Sequence, residues 1–495
     1  MPDDLSSPIY LPVLLAVLAA MLGLGVWVAR RARSGEDFLL AGRSLGTPLL
    51  LGTTLATLVG TGSSLGAVGF GYENGWAGAL YGIGGAGGVL LLMWLFADVR
   101  RHGFMTFSEE MSSYFGASRA VKGVVSVVLV LASVGWLGAH ILGGSLYLSY
   151  LTGMDPQLAK VVVAAGFGLY TVVGGYLAVV VTDAVQGTVL FIGFTVLAVL
   201  ALAAAGGPSG LTEGVPAEAS SLLGIEALGP VPAASLAAVV AVGVLATPSY
   251  RQRIYSARDT ATVRRSFAWV GGLFAAFALL PAVAGMSARA LAPGLDNPDM
   301  AFPYLATTLF PVWVGAFLLV AGLSATMSSG DSDAVAATTI LLRDVAHLVT
   351  GRLPRSADMV RLSRLCLAGV LLLALLCALA ATTIIDYITL MISTVLTGLL
   401  VASLLGRFWR RATWQGALAA MAGGSAAALA VEGTASWSEF WGNPVFPSMA
   451  AALVCGVAVS LVTPPTPITR EEARERLGRE RARMDVGTTL RAGGE

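Results

Sequence analysis

The chain has 495 residues, 56% of them hydrophobic and 12% charged, where a soluble domain carries about a quarter charged residues. Its formal net charge of +1 hides an asymmetry, because charge in a membrane protein matters by the side on which it lies. Composition therefore excludes a soluble enzyme or a nucleic-acid-binding module and predicts an all-α polytopic membrane protein.

At about 20 apolar residues per crossing, the sequence predicts thirteen spans, near 8–29, 46–70, 76–97, 121–150, 158–180, 184–206, 233–249, 267–291, 311–342, 362–381, 384–405, 413–431 and 446–463. With the N-terminus outside, 28 of the 30 basic residues fall in cytoplasmic segments, and only Lys160 and Arg289 lie elsewhere. The positive-inside rule thus favours an odd number of helices with the C-terminus in the cytoplasm. The loops 206–232 and 431–447, which carry Glu213, Glu218, Glu226, Glu432 and Glu439, then read as external. The first span has an acidic flank (Asp3, Asp4) before it and arginines after it, the reverse of a signal peptide.

The second span is interrupted at its middle by Leu58-Val-Gly-Thr-Gly-Ser-Ser-Leu-Gly66. A broken helix at bilayer depth is tolerated only where its freed backbone groups line a cavity or bind something. The same residues contain a GxSxG match and the next span a GxGxxG match (Gly82 to Gly87), but neither has the strand context that such enzyme motifs require. Small residues in the latter instead let helices approach closely. No convergent nucleophile, base or metal cluster appears, and the chain is expected not to be an enzyme. Cys366, Cys377 and Cys455 sit in apolar runs without metal-ligand or disulfide spacing.

The sixth span opens with TDAVQ, placing Asp183 and Gln186 at the end of an apolar helix, where a helix cap is the alternative to a role on an ion path. A second interruption falls at Ala246-Thr-Pro-Ser-Tyr250, where Pro248 removes a backbone donor. Corresponding breaks in two halves point to a midplane binding site. The ninth span carries Ser324-Ala-Thr-Met-Ser-Ser-Gly-Asp-Ser-Asp-Ala-Val335. Ala325, Ser328, Ser329 and Ser332 share one helical face, with Asp331 near it and Asp333 expected to point away. A buried carboxylate in a membrane helix needs a cation partner, and a hard monovalent cation such as Na+ suits hydroxyl, carbonyl and carboxylate oxygens. The competing account is that the serines bond back to their own helix. By depth, the solute is expected around Thr61, Ser63, Ser64, Trp136, His140, Thr247 and Ser249, although His140 reads equally as a satisfied core histidine. The tail REEARERLGRERARM reads as a solvated cytoplasmic helix.

From about Ser34 to Arg411 the chain resembles the sodium:solute symporter family, the group of bacterial proline and pantothenate symporters and sodium/glucose cotransporters. Five stretches in order carry the resemblance: DFLLAGRSLG, the Gly/Ser break, GGYLAVVVTDAVQ, RQRIYSARD and ATMSSGDSDAVAATTILLRD. The resemblance implies two inverted five-helix repeats of the leucine transporter fold, here 46–206 and 233–405. Around them lie an extra N-terminal helix (1–45), an external loop (207–232), two further helices (406–463) and a cytoplasmic tail (464–495). It implies a sodium site from the carbonyls of Ala56 and Val59 and the oxygens of Ala325, Ser328 and Ser329. It also implies a second sodium or proton site at Asp183, Ser328, Asp331 and Ser332, although the family pattern has a hydroxyl where Asp331 stands. Ser63 replaces the glutamine of sugar-transporting members, and Leu58 a polar residue of several others. The expected activity is sodium-coupled uptake of a small polar organic solute across a bacterial inner membrane, with sodium as the coupling ion and no cofactor. The alternatives are a proton-coupled transporter of the same fold, or a membrane sensor built on it.

Overall fold

The computed structural model describes the backbone of residues 9–29, 40–351, 356–381 and 383–492, and within these the side chains except at 151, 166–174, 356–361, 363, 364 and 483–492. The first residues of the DFLLAGRSLG stretch, the arginines 30, 31 and 33, and the side chains of Arg361 and Arg364 lie outside the described residues.

The described chain is helical. In order, the principal helices are α1 (Tyr10–Ala29), α2 (Thr47–Leu58), α3 (Ala67–Asn74), α4 (Ala79–Phe96), α5 (Phe107–Tyr114), α6 (Arg119–Thr152) and α7 (Pro156–Ala204). After the loop come α8 (Pro230–Ala246), α9 (Pro248–Ser256), α10 (Thr260–Phe277), α11 (Leu279–Leu291) and α12 (Val312–Ile340). The remainder comprises α13 (Ser356–Ala380), α14 (Ile384–Met391), α15 (Thr397–Phe408), α16 (Trp414–Glu432), α17 (Val445–Val462) and α18 (Arg470–Ala492). Among the described residues nine helical segments are long and apolar enough to cross a bilayer, and α8 with α9, bent by 47°, forms a tenth if it counts as one span. Thirteen crossings require the three shorter apolar helices, Thr47–Leu58, Pro156–Ala165 and Leu365–Ala380, to cross as well.

Small residues set the closest approaches. A Cβ on Gly84 would overlap the Ala237 carbonyl of α8, and one on Gly88 would lie 3.0 Å from Ala241 Cα. Gly84, and Gly82 against Ala278, are thus packing residues of the GxGxxG match, whereas Gly87 has nothing within 4 Å. The chain breaks between the expected fifth and sixth spans at Gly175, whose φ of 62° belongs to the left-handed region. Asp183 accordingly lies two turns inside a helix, not at its cap. Helix α12 packs along α6 and α7 and against α2, so its polar face is enclosed by protein.

The tail departs from the solvated helix expected of it. Ala473 and Leu477 of α18 are buried. Arg470 donates to the carbonyls of Arg407 (2.7 Å) and Trp409 (3.3 Å), and Arg481 pairs with Glu109 of α5 at 3.3 Å. Burial raises the pKa of Glu109, against the pull of Arg481.

Candidate ion and solute site

Helix α2 stops at Leu58. Val59 leaves helical geometry (φ −80°, ψ 55°), and the chain restarts through a wide π-type turn at Gly62–Gly66 before α3. Two glycines make the break possible. A Cβ on Gly60 would sit 2.6 Å from Ser329 Oγ, and one on Gly62 would overlap the Tyr81 hydroxyl. Ser64 donates to the Gly60 carbonyl (2.6 Å) and Ser63 reaches back to Leu58 and Gly60, so the serines of the break hold its shape.

Opposite the break, α12 presents Ser328 and Ser329. Ser328 Oγ shares its proton between Ala56 O (3.1 Å) and Ser324 O (2.8 Å), and Ser329 Oγ donates to Thr57 O at 3.1 Å. With their protons turned to carbonyls, the hydroxyl oxygens keep lone pairs for a cation. Ala56, Ser328 and Ser329 are therefore brought together as the sequence suggests. Val59 and Ala325 are both buried on the same two elements.

A turn further along lies a charge arrangement that sequence reasoning missed. The 47° bend at Thr247 carries α9 inward, so that Arg251 and Arg253 are fully buried rather than cytoplasmic loop residues. Arg251 pairs with Glu110 (3.0 Å), which also accepts from Tyr114 (2.7 Å) and Tyr255, and its guanidinium lies 3.4 Å from the Phe96 ring centroid.

Arg253 points into the very group expected to form a second ion site. Its Nη2 lies 3.2 Å from Asp183 Oδ2, 2.8 Å from Thr53 Oγ1, 2.9 Å from Ser332 Oγ and 3.2 Å from Thr53 O, with Thr57 Oγ1 also in contact. Five oxygens surround a nitrogen that carries two protons, a cage richer than one guanidinium arm can use. Thr53 donates to Asp183 Oδ2 (2.6 Å) and Ser332 does so at 3.2 Å. Asp331 is buried one residue before Ser332, about 100° round the helix from it.

Between the two chain breaks lies a cavity of about 30 Å³, room for a few waters at most. Six of the seven residues expected around the solute line it: Thr61, Ser63, Trp136, His140, Thr247 and Ser249; Ser64 does not. Asp333 lines it too, contrary to the expectation that it points away. It stands four residues after Ser329 and so shares that residue's face. Its Oδ2 is 3.5 Å from His140 Nε2, while His140 Nδ1 is 2.7 Å from Thr61 Oγ1. His140 thus bonds Thr61 on the cavity wall, while among the described residues its Nε2 has no hydrogen-bond partner. Trp136 donates to Thr247 Oγ1 at 2.8 Å.

On one side, Asp299 braces the break against the start of α14. It accepts from the Ile384 N–H (3.2 Å), and a Cβ on Gly69 would meet its Oδ1. Burial, with help from Asp386 and Glu73, pushes its pKa up to about 7.

Two broken helices meeting at a cavity lined by hydroxyls and aromatic rings, inside a multi-pass helical membrane protein, are the architecture of a transporter. The model of the sodium:solute symporter family matches residues 38–424, and the chain belongs to that family. The sodium/pantothenate symporter of Escherichia coli K12 is 27% identical over 468 residues, 89% of this chain and 94% of that protein. Sodium/myo-inositol cotransporter 2 of Rattus norvegicus is 26% identical over 472 residues, covering 85% and 69% of the two chains. Among solved structures, a substrate-bound outward-open state of a Na+-coupled sialic acid symporter superposes with a TM-score of 0.79 at 17% identity, covering 94% of this chain and 99% of that one. MhsT in complex with L-phenylalanine gives 0.56 at 17% identity, covering 84% and 97%. These likenesses show an all-helical transporter fold of the leucine transporter kind.

Proposed function

We propose that the protein is a secondary active symporter that couples inward sodium movement to uptake of a small polar organic solute by alternating access, in a bacterial inner membrane. The sodium set is Ala56, Val59, Ala325, Ser328 and Ser329. One observation carries the reading: Ser329 both touches the freed carbonyl of Thr57 and lines the solute cavity. An ion bound at Ser329 would fix the wall against which the solute packs, which is what coupling requires.

Thirteen crossings with the N-terminus outside, and two inverted repeats beginning at α2 and α8, fit this reading. Thr61 of the first break and Thr247 of the second both line the cavity. At the second cation position the guanidinium of Arg253 already supplies a positive charge to Asp183 and Ser332. We therefore assign one coupling sodium per cycle in the arrangement seen here, with Asp183 and Arg253 as a buried pair rather than a second metal site.

The test is thermal stability of the purified protein against sodium concentration, with potassium holding ionic strength constant. Sodium-specific stabilisation that disappears in Ser329→Ala is expected, because a ligand of the folded state raises its stability by mass action. Equal behaviour in sodium and potassium would reject the assignment.

A further inference from the structure

The cavity has a chemical bias that the family assignment does not contain. Among the described residues, Asp333 is the carboxylate of its lining, and no lysine or arginine is in that lining. Asp333 is 3% exposed, and among the described residues its Oδ1 has no hydrogen-bond partner. Its 3.5 Å approach to His140 is longer than a hydrogen bond. The Ser249 hydroxyl, fully buried on the same cavity, also lacks a partner among the described residues. Buried polar groups left unsatisfied are costly, and two of them facing one space indicate that something else completes them.

The walls add a second, independent feature. The rings of Tyr81, Trp136, Tyr250 and Phe274 line the same cavity. Trp136 is held by Thr247 and lies nearly parallel to His140, 19° apart. Aromatic faces attract cations, most strongly where water is excluded. A carboxylate and several aromatic rings on one cavity are the chemistry that recognises an organic ammonium group. An anionic solute would instead meet the Asp333 carboxylate on the cavity wall.

We propose that Asp333 is the specificity-determining residue of the solute site and that the transported solute bears a cationic nitrogen, a protonated amine or a quaternary ammonium. The nitrogen sits between Asp333 Oδ1 and the aromatic rings, and the remainder of the solute is hydrogen-bonded by Thr61 and Ser249. Since the cavity encloses only about 30 Å³, the solute enters as the surrounding helices part. This inference rests on the reading of the cavity as the solute site, and it sets the chain apart from relatives named for pantothenate, sialic acid or inositol.

The experiment measures Tm of the full-length purified protein in sodium with choline, tetramethylammonium or ethanolamine. The comparison compounds are 3,3-dimethylbutan-1-ol, the uncharged shape-mimic of choline, and the anion pantothenate. At least one of the cations raises Tm; the uncharged mimic and pantothenate do not. Asp333→Asn abolishes the shift and Asp333→Glu retains part of it. The inference is overturned if the uncharged mimic matches choline, if pantothenate stabilises, or if no cation shifts Tm. Should Asp333→Asn fail to fold, the wild-type comparison of choline with its mimic still decides. A sodium shift without any cation shift sinks this inference alone. A choline shift equal in sodium and potassium keeps the solute class and removes the coupling.

Discussion

Arg253→Gln is the most informative single change, because it removes the tethered cation from an oxygen cage that stays in place. Taking away one partner of a buried ion pair costs about 3–5 kcal/mol, since the other charge is left uncompensated. Asp183→Asn should cost a similar amount, as it strands the guanidinium instead. In the double variant no charge is stranded, and the loss falls to neutral hydrogen bonds worth about 1 kcal/mol each. The coupling energy from the cycle is therefore expected near 3 kcal/mol, the upper end for residues in contact. In Arg253→Gln the oxygens of Asp183, Thr53, Thr57 and Ser332 are free to take a sodium. At 100 times its Kd such an ion restores about 2.7 kcal/mol. Denaturant unfolding of purified protein in sodium and in potassium reads both effects. Additive single-variant costs, or an Arg253→Gln protein no more responsive to sodium than wild type, would refute the account of Arg253 as a resident cation.

Three further outcomes follow from particular contacts. Gly60→Ala puts a methyl group 2.6 Å from Ser329 Oγ and should weaken sodium binding tenfold or more, about 1.4 kcal/mol, whereas Gly23→Ala, with nothing within 4 Å, should leave a sodium titration unchanged. Asp299 has a folded pKa raised to about 7; its contribution to stability is complete below its ordinary value near 4 and is lost as pH rises through 7. Asp299→Asn should therefore flatten Tm between pH 5 and 8, and an unchanged slope would show that another group sets it. Leu477→Asp removes the burial of an apolar side chain of the tail helix, worth about 1.5–3 kcal/mol; a lower Tm and faster proteolysis of the tail are expected, and neither would occur if the helix were merely solvated.

Much of the candidate ion site is legible in the chain because it is local. The glycines and serines of residues 58–66 announce a break, and the 3.6-residue period places Ser328 and Ser329 on one face. The same period places Asp333 four residues beyond Ser329, a relation obscured when the face is drawn through Ser328 and Ser332. Arg253 is different in kind. Next to Arg251 and before Arg258, it reads as one more cytoplasmic charge, and only the 47° bend at Thr247 turns it toward Asp183, 70 residues away. The tail shows the same limit: dense charge predicts a solvated helix, yet Leu477 and Arg481 find partners on segments far away in sequence.

The central claim is coupling to sodium, and the direct measurement is uptake into proteoliposomes of a labelled solute that stabilises the protein. Equal inward gradients of sodium or of protons are imposed at the same membrane potential. The account predicts accumulation driven by the sodium gradient and abolished by Ser329→Ala. Accumulation driven by the proton gradient in the absence of sodium would contradict it.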